Sequence, residues 1–365
     1  MKHIVIDARI VGSSTGVYAE NLLNHLQTVD TANRYTVLLR KAGVWQPRAN
    51  NFTVKIAAHK DYSLSEQLGL AWLLYRLKPD LVHFCMPQQP LLYIGARVTT
   101  VHDLTLVKFA NIDMNPLIYK LRQLIFTGLL RNVIWRSKVI LTPTDFVRND
   151  VLAFSSQRHA DKVATTLEAG EPLADAPEVM TKFDGTPFIL SINNAFPYKN
   201  LLRIAEAFAQ LKTTYPKLQL LYAGKKNYFY EQLEQQIAEL GIPDVHFLGY
   251  ISEGEKRWAL QHAQAYVVAS YSEGFHITGL EAMFERCPVI SSSASCLPEV
   301  YADAARYFNP DRADELADAV REIIDDTATR TSLIKKGLHR VTQFSWLKMA
   351  RQTHAAYEAA LERST

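Results

Sequence analysis

Short apolar runs rich in β-branched residues alternate along the whole chain with longer segments whose apolar residues recur at helical spacing. In the first half, the short runs predict strands at residues 4–6, 35–39, 53–56, 81–84, 98–101 and 139–141. The segments between them predict helices near residues 17–28, 64–77, 115–136 and 145–155. Mostly uncharged strands separated by helices are typical of parallel sheets with both faces covered.

The same alternation restarts in the second half of the chain. Strands are predicted there at residues 188–192, 218–222, 245–247, 266–269 and 289–291. Helices are predicted near residues 200–214, 228–240, 252–263, 278–286 and 312–337. Two such series predict an α/β protein with two doubly wound, Rossmann-like domains. We expect the domains at residues 1–170 and 186–344, with a proline-containing, acidic linker at residues 171–185.

Composition agrees with this division and narrows the class of protein. The chain has 365 residues, of which 48% are apolar and 21% charged, which is enough material for two globular cores. A net charge of +3 does not favour a nucleic-acid-binding protein. Residues 1–170 nevertheless carry 20 Lys and Arg against 12 Asp and Glu, whereas the remainder carries 20 against 25. The basic first half therefore predicts an anionic acceptor or a membrane surface as its partner.

The sequence also bears on the compartment. Three cysteines, an odd number without metal-ligand spacing, favour a reducing environment over a disulfide framework. No apolar leader precedes the first predicted strand, and the longest apolar region, residues 117–135, is interrupted by three charges. Its apolar residues spread around the helical wheel, which favours a buried helix; an interfacial helix is the alternative. We expect a cytoplasmic protein, with peripheral contact at the inner membrane surface as the alternative.

The most informative segment joins a strand to a helix at residues 270–283. Glu273 lies on its glycine-containing loop, and Glu281 lies on the helix that is predicted to begin around Thr278. Backbone N–H groups of such a loop can hold a diphosphate, and a carboxylate can accept two hydrogen bonds from a ribose diol. The alternative is a surface loop whose acidic residues only complement the helix dipole.

Two further motifs follow predicted strands. Lys199 stands at the start of a helix, where a cation is unfavourable unless an anion is bound; a solvated lysine is the alternative. His102 and Asp103 end the strand at 98–101, where an imidazole can bind a sugar hydroxyl; an ordinary hydrogen-bonded histidine is the alternative. The glycine loop at residues 12–16 lacks the spacing of an NAD site.

Together, these segments resemble the GT-B glycosyltransferases of the large retaining family 4, which includes many mannosyltransferases. The resemblance covers nearly the whole chain, in order. The matching elements are E-x7-E at Glu273 and Glu281, K-N at Lys199-Asn200, T-x-H-D at Thr100 to Asp103, the opening loop at Gly12 to Gly16, Leu297 to Val300, Asp303 to Ala305, Asn309-Pro310 and Phe344 to Trp346. The resemblance implies two domains that face each other across a cleft, and a last helix at residues 345–365 that crosses back to the N-terminal domain.

The chain departs from the family pattern at several positions. Asn193 stands where the family usually has Gly, and Asn194 stands where a cationic residue is frequent. His276 replaces the second glycine of a Gly-Phe-Gly core, and Thr278-Gly279 follows where Pro is frequent. These departures affect the expected sugar pocket, and with it the identity of the donor.

The resemblance implies that the second domain binds a nucleoside diphosphate sugar and the first domain binds the acceptor. Lys199 and the N–H groups of residues 275–279 would bind the diphosphate, Glu281 the ribose, and Glu273 and His102 the donor sugar. Asp103 would orient His102 or cap the following turn. The implied catalytic residues are His102, Asp103, Lys199 and Glu273. The implied donor- and nucleotide-binding residues are Gly16, Asn194, Lys199, Gly274, Phe275, His276, Ile277, Thr278 and Glu281.

The expected reaction is metal-independent hexosyl transfer with retention of configuration, since a lysine and a helix N-terminus can take the place of Mg²⁺. GDP-mannose is the favoured donor and a UDP-hexose the next, with a saccharide or lipid-linked acceptor and no separate cofactor. Two other readings stay open: an epimerase or phosphorylase on the same fold, and a non-catalytic subunit that binds sugar nucleotides.

Overall fold

The computed structural model describes residues 1–13, 15–61, 63–109 and 116–363. The chain divides into two compact units. The first comprises Met1–Glu168 and Ser345–Thr365, and the second comprises Ala169–Phe344. Residues 171–185, the expected linker, are part of the second unit, and Phe183 within them is buried.

The first unit is built on a seven-stranded parallel sheet with the strand order β3-β2-β1-β4-β5-β6-β7. Its strands are β1 His3–Asp7, β2 Arg34–Leu39, β3 Phe52–Ile56, β4 Leu81–Phe84, β5 Arg97–Thr100, β6 Val139–Thr142 and β7 Val163–Thr165. The central strands are buried along their whole length, as expected for a sheet covered on both faces.

The helices of the first unit lie between these strands and at the end of the chain. They are α1 Gly16–Val29, α2 Ala71–Leu77, α3 Thr105–Lys108, α4 Pro116–Arg136, α5 Asp145–Ser155 and α13 Trp346–Glu362. A π-helical turn at Ser65–Leu70 leads directly into α2. A short 3₁₀ helix at Gln157–Lys162 precedes β7.

The terminal helix α13 is joined to the sheet by a chain of buried polar groups. The Tyr357 hydroxyl lies 2.6 Å from Nδ1 of His83 on β4, and Nε2 of His83 lies 2.9 Å from the Thr100 hydroxyl. The Tyr18 hydroxyl completes the chain at 2.9 Å from Thr100. Burial lowers the pKa of His83 to about 3, so the ring is neutral and its two nitrogens are both paired.

The second unit contains a six-stranded parallel sheet with the order β10-β9-β8-β11-β12-β13. Its strands are β8 Phe188–Ile192, β9 Gln219–Ala223, β10 Val245–Gly249, β11 Ala265–Val268, β12 Val289–Ser292 and β13 Ala305–Phe308. Its helices are α6 Leu201–Leu211, α7 Tyr228–Glu239, α8 Glu253–His262, α9 Ile277–Phe284, α10 Leu297–Tyr301, α11 Ala313–Asp325 and α12 Thr327–Val341. The predicted α/β fold class, with two doubly wound, Rossmann-like units, is confirmed.

Some elements differ from the expectations. The short edge strands β7 and β13 were not predicted, because both contain exposed positions and lack the uninterrupted apolar, β-branched run that marks the buried strands. The single helix expected at residues 312–337 is two helices. The helix is interrupted at Asp326, which has an extended backbone. The Asp326 carboxylate caps α12 by accepting hydrogen bonds from the N–H groups of Ala328 and Thr329.

The long helix α4 also differs from the fully buried helix that was expected. Leu130, Val133 and Ile134 are buried, but Leu124 and Trp135 are exposed. Within the described parts of the chain, no helix combines the length and the apolar character needed to cross a bilayer.

Candidate functional site

In the second unit, two loops that follow the neighbouring strands β8 and β11 are fastened side by side. Lys199 ends a single 3₁₀ turn at Pro197–Lys199, and Asn200 adopts a left-handed conformation with φ of 56° before α6. The Asn200 amide donates to the carbonyls of Ala269 at 3.2 Å and Pro310 at 2.8 Å. The N–H of Tyr271 donates to the Tyr198 carbonyl at 2.8 Å. These bonds bring the Lys199 loop to the Glu273 loop.

Lys199 and Glu273 form a nearly buried ion pair at this point. The ammonium Nζ lies 2.7 and 2.8 Å from the two carboxylate oxygens, and the side chains are only 13% and 9% exposed. The Ser270 hydroxyl donates to Oε1 of Glu273 at 2.6 Å, and the Glu273 N–H donates to the Ser295 hydroxyl at 3.1 Å. The structure therefore brings the two predicted residues together, with each charge neutralising the other.

Burial and charge act in opposite directions on this pair. Burial alone would raise the pKa of Glu273, but the charge of Lys199, followed by His276 and the bond from Ser270, lowers it below its usual value. Burial lowers the pKa of the neighbouring His276 to about 4, although Glu273 acts in the other direction. At pH 7 Glu273 is thus a carboxylate and His276 a neutral imidazole.

His276 is held in place by Tyr301. It has a left-handed backbone, φ of 73°, immediately before α9. Its Nδ1 lies 2.6 Å from the Tyr301 hydroxyl, which also donates to the His276 carbonyl at 3.1 Å. A Cβ at Gly279 would lie 2.1 Å from the same hydroxyl, so any larger residue there would displace Tyr301. Two of the departures from the family pattern, His276 and Gly279, are therefore accommodated by one tyrosine.

The N-terminus of α9 presents its backbone toward the same loop. Neither a side-chain cap nor an acidic residue occupies its first turn in the described structure, so its positive end is not offset by this helix's own residues. Ile277 and Thr278 are partly exposed there, as is Gly274 in the preceding loop. The Phe275 ring is buried and packs edge-on against Phe344 at 5.5 Å, so only its backbone can reach a ligand. Asn194 is partly exposed in the loop after β8.

The second predicted carboxylate, Glu281, pairs with Lys256 on the neighbouring helix α8. One turn farther along the chain, Glu285 pairs with Arg257, 3.3 Å from its Nε. A capping box at Ser252 fixes the start of α8 and hence the position of both cations. Glu281 is thus a pre-oriented carboxylate whose charge is balanced within the unit.

In the first unit, His102 hydrogen-bonds with two groups that can only accept. Nδ1 lies 3.2 Å from Oε1 of Glu168, and Nε2 lies 2.9 Å from the Cys85 carbonyl. A neutral imidazole has one N–H and can donate to only one of them, so the arrangement favours the imidazolium. Burial would lower the pKa of His102, but the hydrogen bond and charge of Glu168 outweigh it and raise this pKa. The Tyr18 ring packs edge-on against His102 at 4.8 Å.

The remaining predicted residues of the first unit have visible local roles. The Asp103 carboxylate accepts a hydrogen bond from the Thr105 N–H at 2.7 Å and so caps the turn before α3; Glu168 provides the carboxylate contact to His102. Gly16 begins α1, and a Cβ there would lie 2.4 Å from the Ile10 carbonyl oxygen. Close packing therefore requires glycine at position 16, and its contact with a donor stays a prediction.

Sequence reasoning did not identify Glu168, Lys256 or Tyr301. Each lies far along the chain from its partner, by 66, 25 and 25 positions respectively. Glu168 follows the unpredicted edge strand β7, and Lys256 lies in a helix rich in charges. Assigning β7 as a strand would have placed Glu168 at the same carboxyl-terminal sheet edge as His102.

The second unit therefore combines an ammonium, an exposed helix N-terminus and two carboxylates. Such a set can neutralise a diphosphate and accept hydrogen bonds from hydroxyl groups. In the described part of the chain, no cluster of three His, Cys, Asp or Glu side chains has the arrangement of a metal site. All three cysteines are free and buried.

The chain is similar to known glycosyltransferases. Residues 175–340 match the model of the group 1 glycosyl transferases. O-antigen chain mannosyltransferase B of Escherichia coli is 27% identical over 314 residues, 81% of this chain and 79% of that protein. The MMP alpha-(1->4)-mannosyltransferase of Mycolicibacterium hassiacum is 34% identical over 182 residues, 48% of this chain and 44% of that protein.

Two solved structures have the same fold over nearly their full length. Sucrose-phosphate synthase from Thermosynechococcus elongatus superposes with a TM-score of 0.78 at 17% identity, covering 100% of both chains. HepE from Anabaena, solved with UDP-glucose, gives 0.75 at 14% identity, covering 98% of this chain and 100% of that one. Residues 175–340 therefore match the group 1 glycosyl transferases, most of the chain is similar to a mannosyltransferase, and the fold of the whole chain is that of the GT-B glycosyltransferases.

Proposed function

We propose that the enzyme transfers a hexose, with mannose favoured, from a nucleoside diphosphate sugar to a hydroxyl of a saccharide or lipid-linked acceptor. The transfer retains the anomeric configuration and needs no metal ion. The observation that carries the proposal is the buried Lys199–Glu273 pair beside the uncapped N-terminus of α9. A cation, a helix dipole and a carboxylate in one place match the diphosphate and hydroxyls of a sugar nucleotide.

In this proposal Lys199 exchanges partners when the donor binds. Its ammonium turns from the Glu273 carboxylate toward the diphosphate, and the carboxylate becomes available to accept hydrogen bonds from sugar hydroxyls. Lys199 and the first N–H groups of α9 then stabilise the charge that grows on the β-phosphate as the glycosidic bond breaks. The leaving phosphate oxygen takes the acceptor's proton, and the acceptor oxygen bonds to the anomeric carbon from the same face.

Glu281 is assigned to the ribose diol, and Lys256 keeps its carboxylate oriented before the nucleotide arrives. His102, as an imidazolium fixed by Glu168, is assigned to a hydroxyl of the donor sugar during transfer. That assignment requires the ring to exchange its contact with the Cys85 carbonyl for one with the sugar.

The choice of donor has two supports. The relatives at 27% and 34% identity carry mannosyltransferase names, which favours GDP-mannose. The structural neighbour HepE was solved with UDP-glucose, which makes a UDP-hexose the next choice.

The proposal is tested first by nucleotide binding in EDTA, with transfer to saccharide and lipid-linked acceptors measured as released nucleotide. A nucleoside diphosphate at about 100 times its Kd should raise the melting temperature by roughly 5–10 °C, most for GDP. Nuclear magnetic resonance of the product should show the donor's anomeric configuration. Activity that is lost in EDTA and restored by Mg²⁺ would contradict metal independence. Equally fast donor turnover without an acceptor would indicate an epimerase or phosphorylase instead.

Replacing Lys199 by Ala should lower the transfer rate per folded molecule by about 10²–10³-fold, because it removes about 2–4 kcal/mol of stabilisation from the leaving diphosphate. Calorimetry should show weaker binding of GDP and unchanged binding of guanosine, which has no phosphate. The control is Lys226→Ala, an exposed lysine of the same unit. Equal losses of GDP and guanosine affinity would mean that Lys199 acts only by holding Glu273 and the fold.

Replacing Glu281 by Ala should weaken GDP binding by about 1–3 kcal/mol, since the ribose diol loses its acceptor. Glu285→Ala is the matched control, because Glu285 also pairs with a cation of α8, one turn away. The difference in affinity between the wild type and the Glu281 variant should be smaller for 2′-deoxy-GDP than for GDP. If Glu285→Ala weakens GDP binding as much as Glu281→Ala, the ribose assignment is wrong.

Replacing Glu168 by Gln should move the alkaline fall of the transfer rate to lower pH, because the raised pKa of His102 depends on the Glu168 charge. The raised pKa of His102 also predicts that the wild type is more stable than the variant. This extra stability is fully present below pH 6.5, the ordinary histidine pKa, and is lost as pH rises through the raised pKa of His102. Rate and melting temperature between pH 5.5 and 9.5 test both. Glu20→Gln on the surface of α1 is the control, and an unmoved pH profile for the Glu168 variant would refute the imidazolium.

A further inference from the structure

The helical segment at residues 64–77 has two apolar faces, only one of which is covered. Leu70, Leu73 and Leu74 are buried in the first unit. On the other side, Leu64, Leu68, Trp72 and Tyr75 are exposed by 79%, 60%, 60% and 46%. Their spacing of four, four and three residues places them in one stripe along the helix. Single exposed apolar residues are ordinary, but an uninterrupted stripe is not.

The loop at residues 92–94 extends this stripe. The Tyr75 hydroxyl donates to the Leu92 carbonyl at 2.9 Å and accepts a hydrogen bond from the Ile94 N–H at 3.0 Å. Both Leu92 and Ile94 are exposed. These two side chains and the four of the helix form one exposed patch, named here the apolar patch.

Cations adjoin the apolar patch. The Arg76 guanidinium lies 4.7 Å from the centre of the Trp72 ring. Arg136, at the end of α4, donates to the Leu91 carbonyl at 3.2 Å, beside Leu92. Its neighbour Trp135 is 62% exposed. Shallow depressions around Trp135 are lined by the basic side chains of Arg131, Lys138, Arg158, Lys162 and Arg363.

Exposed basic residues outnumber exposed acidic residues both along residues 64–77 and around Trp135. In residues 64–77 the single acidic residue is Glu66, which is fully buried and pairs with Arg9. Around Trp135, Asp161 is exposed and pairs with Arg363, which leaves the cations in excess. An apolar stripe containing Trp and Tyr, bordered by Lys and Arg, has the composition of a surface that lies in the interfacial region of an anionic bilayer.

We propose that the apolar patch and the adjoining cations around Trp135 dock the first unit onto an anionic lipid bilayer. Leu64, Leu68, Trp72 and Ile94 enter the boundary between headgroups and acyl chains. The exposed Arg131 and Arg158 contact lipid phosphates, whereas Lys138 and Lys162 donate to backbone carbonyls and Arg363 pairs with Asp161. Residues 64–77 thus supply most of the apolar contact, and α4, for which an interfacial helix was the alternative expectation, contributes Trp135 and Arg131. The docking depends on neither the donor nor the acceptor of the transfer reaction.

The test is co-sedimentation of the full chain with vesicles of phosphatidylcholine alone or mixed with 30% phosphatidylglycerol. The wild type should bind the mixed vesicles and release them as salt rises, because headgroup attraction is screened. The double variant Leu68→Ser, Trp72→Ser should lose binding by tenfold or more. Arg131→Ser and Arg158→Ser should each lower binding to mixed vesicles by about fivefold.

The matched control is the double variant Leu240→Ser, Tyr250→Ser, which removes exposed apolar side chains from the second unit. It should bind like the wild type, and all variants should keep the wild-type melting temperature. Absence of wild-type binding to mixed vesicles, or equal losses in the control, would overturn the proposal. Displacement by millimolar glycerophosphate at constant ionic strength would assign the cations to a free phosphate ligand instead. Concentration-dependent dimerisation, abolished by Leu68→Ser, Trp72→Ser in the absence of lipid, would assign the patch to a second copy of the chain.

Discussion

The candidate site depends on one constraint: neither Lys199 nor Glu273 can be buried alone. Taking a single charge out of water costs several kcal/mol, and the two side chains are nearly inaccessible. Each therefore requires the other until a ligand of suitable charge arrives. A diphosphate can replace the carboxylate as the partner of Lys199, and sugar hydroxyls can replace the ammonium as partners of Glu273. The ion pair thus keeps both side chains charged, desolvated and in position until each one exchanges the other for a group of the ligand.

Several surrounding residues hold Lys199 and Glu273 within hydrogen-bonding distance of each other. The Asn200 amide donates to two carbonyls, and the Tyr271 N–H donates to the Tyr198 carbonyl, so the two loops cannot separate without losing these three hydrogen bonds. Tyr301 occupies the space left by Gly279 and holds His276 beside Glu273. A neutral His276 adds no competing positive charge. The larger side chain of His276, which distinguishes this loop from the family pattern, therefore packs against Tyr301 without changing the net charge of the site.

Much of the fold was predictable, because buried parallel strands and amphipathic helices leave a clear periodicity. Strand β8 and the helix at residues 228–239 were found from that signal. Edge strands β7 and β13 were not, since their partly exposed residues do not form an uninterrupted apolar run. The site divides in the same way. Lys199 and Glu273 stand out at strand ends, whereas Glu168 and Lys256 matter only through partners that are distant in the sequence. Periodicity reveals elements, but pairing across elements is a property of the folded chain.

The charge asymmetry of the sequence has a structural counterpart. In the second unit, Lys199, Lys256 and Arg257 are each paired with a carboxylate, so the nucleotide meets balanced charges that must exchange partners. In the first unit, the cations around Trp135 exceed the acids near them and lie beside exposed apolar side chains. Paired charges favour selective binding, because an imperfect ligand cannot repay the broken ion pair. An excess of surface cations over acids favours attraction to any anionic surface. The two proposals thus assign different tasks to the two units: binding of a small donor to the second, and attachment to an extended surface to the first.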